Sequence, residues 1–278
     1  GTPSPPREAP DPPDTLDTAW PVPDAEPGGS NYATGAVGPT EAVARLWETD
    51  VGGAPTAPVV AGEALYVGVG DTLHALDART GDRRWDQPVP GTVETPWVAG
   101  DSVYVPTDNG VAALATEDGG QRWHREFAGF ETAMVADDGV YALTDAAAAA
   151  VVALDADGDR RWRTAIGDPW TPHLFASDES MFVSTGGRGT GPWQLTAGTG
   201  AIVGERPGGV TDGLYPRFYR DGTVFSSEFL PTAVDASPVT DGGHGWQETV
   251  AAGSIGVMSG GPDHVYASVY GGGADDSG

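Results

Sequence analysis

Lysine and cysteine are absent from the 278 residues, and asparagine occurs only at Asn31 and Asn109. Without lysine there is no ammonium to grip the phosphates of a P-loop and no amine for a pyridoxal Schiff base, so those enzyme classes are excluded. Without cysteine there is no disulfide framework, thiol nucleophile or thiolate zinc site, and the redox compartment is left open. Long apolar runs are missing as well. The longest, AAAAAVVAL at 146–154, is roughly half of the ~20 residues that a spanning helix needs. The five histidines, at 74, 124, 173, 244 and 264, show neither H-x-x-x-H nor H-E-x-x-H spacing. They read as packed or surface side chains rather than zinc ligands, and no G-x-S-x-G elbow supplies a serine nucleophile.

Basic residues are scarce too. Forty acids face 14 arginines, for a formal net charge of −26. Aspartate outnumbers glutamate about two to one. Short carboxylates hold water and their mutual repulsion is screened by salt, whereas lysine's long apolar stem is a liability when salt strengthens apolar association. The balance is that expected of a halophilic chain. It also excludes nucleic acid and anionic membrane surfaces as partners, because both require a basic face.

The first 28 residues carry nine prolines and few apolar side chains, too little to fold alone. Residues 1–42 are expected to form an extended linker or tether, and 43–278 the folded domain. Because the chain opens on Gly1 rather than Met, an upstream segment is expected to have been removed. A lipidated cysteine just before it would hold the protein at a cell surface.

From about residue 43 the text repeats. Tyr66, Tyr104, Tyr141, Phe182, Phe225 and Tyr266 sit in short apolar stretches spaced 38, 37, 41, 43 and 41 residues apart. Tryptophans keep the same beat at Trp47, Trp85, Trp123, Trp162 and Trp246. Each period reads as four short strands; over 58–85 they are PVVAG, EALYVGV, TLHAL and DRRWDQPV, separated by Gly and Asp turns. Four-stranded units at a period near forty, without helical periodicity between them, describe the blades of an all-β propeller. Leu73-His74-Ala75-Leu76 is apolar on both faces, as a sheet sandwiched between neighbours requires. The docking tryptophans are expected to fill the gap to the adjacent blade.

Ala75, Asp77, Thr80, Gly81 and Trp85 fit A-x-D-x-x-T-G-x-x-x-W, which resembles the tryptophan-docking repeat of the PQQ-like (quinoprotein-type) β-propellers. The second copy keeps Ala113, Gly119 and Trp123 but has Ala115 for the aspartate. The third keeps Ala153, Asp155, Gly158 and Trp162 with one residue deleted, and the fourth has Gly204 where tryptophan belongs. The resemblance implies about six blade units. Either the ring has six blades, the last completed by an N-terminal strand near Arg45–Glu48, or the chain is part of a seven- or eight-bladed ring. The family includes PQQ-dependent alcohol dehydrogenases and BamB-type lipoproteins, so enzymes and binding modules share the scaffold.

No residue here matches the calcium-binding Glu and Asn of the dehydrogenases. No catalytic, cofactor-binding or metal residue is therefore assigned. Asp155-Ala156-Asp157-Gly158-Asp159 alternates carboxylates as a calcium loop does, but its glycine is at the wrong step, and it reads as a hairpin turn. Gly186–Gly191 reads as a glycine-rich loop.

By the repeat alignment Glu94, Glu131, Trp170, Tyr215 and Arg217 fall just before or at the innermost strand of successive blades, and are expected to line one channel mouth. Arg188 and Trp193, in the longest loop, would extend that rim. Acids beside aromatics suit a polar ligand or a peptide. The expected function is a non-enzymatic cell-surface binding or scaffold propeller with a protein or glycan partner. The alternatives are a PQQ- or calcium-dependent quinoprotein dehydrogenase, and a structural subunit that self-associates through incomplete end blades.

Overall fold

The computed structural model describes residues 45–136, 139–145, 149–166, 173–177, 179–184, 193–205, 214–220, 222–229, 232–238, 246–249, 254–260 and 264–270. They form five four-stranded antiparallel meanders and one two-stranded sheet, with no helix among them. Blade one is β1 (Val59–Ala61), β2 (Ala64–Val69), β3 (Thr72–Asp77) and β4 (Arg83–Pro88). Blade two is β5 (Trp97–Ala99), β6 (Ser102–Thr107), β7 (Gly110–Ala115) and β8 (Gln121–Glu126). Blade three is β9 (Phe130–Ala136), β10 (Gly139–Thr144), β11 (Ala150–Leu154) and β12 (Arg160–Ala165). Blade four is β13 (His173–Ala176), β14 (Ser180–Ser184), β15 (Trp193–Thr196) and β16 (Ile202–Glu205). Blade five is β17 (Leu214–Arg220), β18 (Thr223–Phe229), β19 (Thr232–Pro238) and β20 (Trp246–Thr249), followed by β21 (Ser254–Gly260) and β22 (Val265–Tyr270).

The first strands of successive blades pack against one another, β1 on β5, β5 on β9, β9 on β13 and β13 on β17. The fourth strands are the most exposed. Sheets stacked about an axis through their first strands make a β-propeller, as the forty-residue beat predicts. Central strands are buried on both faces, which is why they read as continuous apolar runs rather than alternating ones.

One cross-strand row organises each of the first three blades. Tyr66 pairs with Ala75 and Ala75 with Trp85; Tyr104, Ala113 and Trp123 repeat this, as do Tyr141, Ala153 and Trp162. The small central alanine lets the two rings meet across it, with centroids 5.8, 5.9 and 5.8 Å apart, in the tilted range that favours aromatic pairs.

Each indole then seals the seam to the next blade. Trp47 Nε1 donates to Ala78 O at 3.1 Å, Trp85 to Thr116 O at 3.1 Å, Trp123 to Ala156 O at 2.7 Å and Trp162 to Ala197 O at 2.9 Å. The acceptor always lies in the turn before the following outer strand, and the ring covers that turn's glycine. Gly81, Gly119, Gly158 and Gly200 have φ of +75°, +74°, +76° and +69°. The turn thus needs glycine for its backbone and for the ring lying on it.

Two expectations change. Arg45–Asp50 forms no paired strand among the described residues, although Trp47 docks on blade one. Trp193 is not a rim residue: it lies in β15, 2% exposed, in the core shared with blades two and three, because the strand begins earlier than its glycine-rich approach suggests. At the seam between blades four and five, Gly204 occupies the docking position opposite Gln194. Phe175, Phe182 and Tyr219 stack there instead, with centroids 5.0 and 5.7 Å apart. Trp246 lies opposite Ala236 in β20, as the repeat predicts, and its side chain is outside the described residues. So is Gly186–Gly191.

Candidate functional site

Antiparallel pairing brings the start of each first strand beside the end of each second strand, so both meet on one face of the ring. In blade two Glu94 N donates to Pro106 O at 2.9 Å, and Asp108 N donates to Thr92 O at 3.1 Å. Asp108 also closes the loop, its Oδ1 accepting from Thr92 N at 3.0 Å. In blade three Asp145 N donates to Gly129 O at 2.8 Å, at the same step of the repeat. Glu94 with Asp108 and Glu131 with Asp145 are therefore one arrangement built twice, on adjacent blades. In blade one the position of these glutamates is Thr56, whose Oγ1 accepts from Gly68 N at 3.0 Å.

Electrostatics follow from that geometry. Partial desolvation, and then the charge of Asp108, push the Glu94 carboxyl above its ordinary value. Desolvation, followed by the charge of Asp145 and a hydrogen bond to it, does the same for Glu131. Each pair can keep a proton where a lone surface carboxylate would lose it, and can accept hydrogen bonds from hydroxyl or ammonium groups.

The other rim candidates are placed less uniformly. Arg217 lies half-buried in β17 with Nε donating to the buried Ser227 Oγ at 2.8 Å, so part of its fork is already engaged. Tyr215 lies in the same strand, opposite Ser227, and its side chain is outside the described residues. Trp170 and Arg188 lie outside them altogether. Sequence reasoning missed Asp108 and Asp145, though the repeat places both four residues after the blade tyrosine.

The acidic motif positions serve the turns. Asp77 Oδ1 accepts from the N–H groups of Arg79 and Thr80 at 3.0 and 3.1 Å, and its Oδ2 from Arg84 at 2.7 Å. The Arg84 bond, more than any other cause, holds its carboxyl down to about 2. Asp155 Oδ1 accepts from Asp157 N and Asp159 N at 3.0 and 2.9 Å, so this segment is a hairpin turn whose aspartate faces its own backbone. His74 is buried, with Nδ1 2.7 Å from Asp86 Oδ1, and Asp86 Oδ2 accepts from Arg83 at 2.7 Å.

Calcium and a quinone are the groups implied by the dehydrogenase side of the resemblance. Among the described residues no three carboxylate or imidazole groups converge to hold a metal; the two rim acid pairs stand on separate blades, two and three. The described residues thus supply no calcium site of that kind, and no redox step is derived from them.

The family model described as outer membrane protein assembly factor BamB matches residues 35–171 and again 108–259. Comparison with curated proteins gave no match. Among solved structures, BamB from Moraxella catarrhalis is 17% identical, covering 75% of this chain and 77% of its own, with a TM-score of 0.45. A europium-containing methanol dehydrogenase is 14% identical over 85% of this chain and 59% of its own, with a TM-score of 0.62. Quinohemoprotein alcohol dehydrogenase from Comamonas testosteroni is 16% identical over 91% and 52%, with a TM-score of 0.59. The chain thus spans little more than half the length of the two dehydrogenases, and at these identities their likeness speaks for the fold alone.

Proposed function

Because the chain belongs to the PQQ-like propeller family whose model carries the BamB assembly-factor description, we propose that it is a non-enzymatic scaffold of the cell envelope. Its acidic rim is the docking face for a protein partner. One observation carries this reading: the Glu94/Asp108 and Glu131/Asp145 pairs recur at the same step of adjacent blades, on a ring held rigid by repeated indole seals. Repetition of a paired carboxylate across blades favours an extended ligand presenting several hydroxyl or ammonium groups in a row. Arg217, and with it Tyr215, Trp170 and Arg188, would set the far side of the rim. Residues 1–42, rich in proline, would act as an extended tether that holds the ring off a surface.

The test is site-specific photocrosslinking in intact cells, with the crosslinker at 94 or 131 and, as control, at position 84 on an outer strand. A discrete adduct from the rim, absent from the control and weakened by Glu131→Gln when the crosslinker is at 94 and by Glu94→Gln when it is at 131, is expected. A glycan adduct would replace the protein partner. A bound quinone chromophore that reduces an electron acceptor after PQQ and calcium are added would overturn the non-enzymatic reading.

A further inference from the structure

Asparagine occurs twice in the chain, and Asn109 is the one among the described residues. Gly110 follows it. The two stand at the β6–β7 turn, where Thr107 pairs with Gly110 across the exposed Asp108 and Asn109. Packing fixes the glycine, because a Cβ at 110 would run into Arg125 O of β8. Position 109 is free of that constraint. The matching turn of blade one, Gly70–Asp71 between the paired Val69 and Thr72, carries aspartate in the same place. Hydrogen bonding supports the match: Asp71 O accepts from Val89 N at 2.8 Å, and Asn109 O from Phe127 N at 3.0 Å.

We infer that Asn109 is a site of self-modification, at which the side-chain amide is lost as ammonia and a carboxylate is left on the acidic rim. The nitrogen of Gly110 bonds to Asn109 Cγ and closes a cyclic imide, while the amide nitrogen departs as ammonia with the proton that Gly110 gives up. Water, the only other reactant, then opens the ring. Its addition at Cγ breaks the new bond to the Gly110 nitrogen and leaves aspartate, whereas addition at the backbone carbonyl leaves isoaspartate. No oxidation or reduction is involved.

Gly110 has no side chain to screen its nitrogen from the incoming carbon. Thr107, itself fully buried, donates through Oγ1 to Asn109 Oδ1 at 2.9 Å, and a fixed donor on that oxygen stabilises the charge that builds there during attack. The aspartate product is one that the same frame already holds at Asp71. One feature opposes the step: pairing with Thr107 restrains the Gly110 nitrogen, so the hairpin tip must open and the folded chain reacts more slowly than the unfolded one. Isoaspartate fits less well, because an extra backbone carbon displaces the carbonyl that Phe127 N–H holds. The new charge falls beside Asp108, whose carboxylate already crowds Glu94. The site stands whether or not the rim docks a partner.

The test is incubation of the full chain in mildly alkaline molar KCl made with heavy-oxygen water, followed by peptide mapping. The expected result is conversion of the Asn109 amide to an acid that carries the heavy label, with ammonia released in step. Asn31, followed by tyrosine, is the internal reference and should convert more slowly. Thr107→Val should slow conversion at 109 about fivefold, the worth of one hydrogen bond, with an unchanged amide spectrum elsewhere verifying the fold. An unlabelled position 109 in the folded chain over the time in which the urea-unfolded chain converts fully would overturn the assignment. So would a rate at 109 no faster than at Asn31, or an unchanged rate in Thr107→Val.

Discussion

At Gly158 the backbone turns at φ +76°, and a Cβ added there would lie 2.6 Å from Cδ2 of Trp123. Gly62 has a comparable φ of +58°, but a Cβ would meet nothing within 4 Å. The two positions therefore separate backbone strain from the docking contact. Gly62→Ala is expected to cost about 1–2 kcal/mol, the left-handed penalty alone. Gly158→Ala should cost about 2–4 kcal/mol, because the indole must also move from its carbonyl and leave a buried donor unpaired. Urea midpoints measured at unchanged slope check both, and equal losses would refute the coupling of ring to turn. Titration at single residues has a definite sign as well. Folded Glu131 holds its proton to higher pH than the unfolded chain does, through desolvation and Asp145. From the ordinary carboxylate range up through its raised value the native state binds more protons, and stability falls as pH rises. Glu131→Gln is expected to raise stability at neutral pH and flatten that slope, and an unaltered slope would sink the account. Asp77 works in the opposite sense. Held down to about 2, it stabilises the fold above the ordinary range, and that contribution is lost as pH falls toward 2.

An outer strand carries its blade's seal to the next blade, so the seams need not open together. Four seams close with an indole donating to a carbonyl, whereas Gly204 leaves the fourth-to-fifth junction to the stack of Phe175, Phe182 and Tyr219. In an array of nearest-neighbour units, partial opening starts at the weakest interface. Native-state hydrogen exchange in mild denaturant should show β17–β19 opening at lower free energy than β6, β7, β10 and β11. Uniform protection across that junction would contradict it. The blades were legible because tyrosine, alanine and tryptophan recur at fixed steps and register alone makes them a row. The direction of docking was not legible, since the acceptor is a backbone carbonyl that any residue supplies: Ala78, Thr116, Ala156 and Ala197 share no side chain chemistry. Asp108 and Asp145 resembled ordinary turn acids, and Glu94 and Glu131 stood out only because they precede first strands.

Across the whole molecule the charge has to be carried by the surface, because the cores are built from the cross-strand rows and hold almost no acids. Local pairs offset part of it: Arg84 with Asp77, Arg122 with Asp101 and Arg83 with Asp86 lie 2.7, 2.6 and 2.7 Å apart. They are half-exposed and individually weak, and 14 arginines cannot neutralise 40 acids. Compaction therefore brings many like charges within reach of one another. The resulting repulsion is screened over about 10 Å in 0.1 M salt and over about 3 Å in 1 M. A rigid ring cannot spread its acids as the unfolded chain can, so screening favours the native state more than the unfolded one. The melting temperature should rise steadily from dilute buffer to molar KCl and level off once the screening length falls below the spacing between surface acids. Calorimetry in a KCl series reads this directly. A melting temperature that does not move with salt would mean that the propeller tolerates its charge without screening, and the expectation of a chain suited to high salt would fall with it.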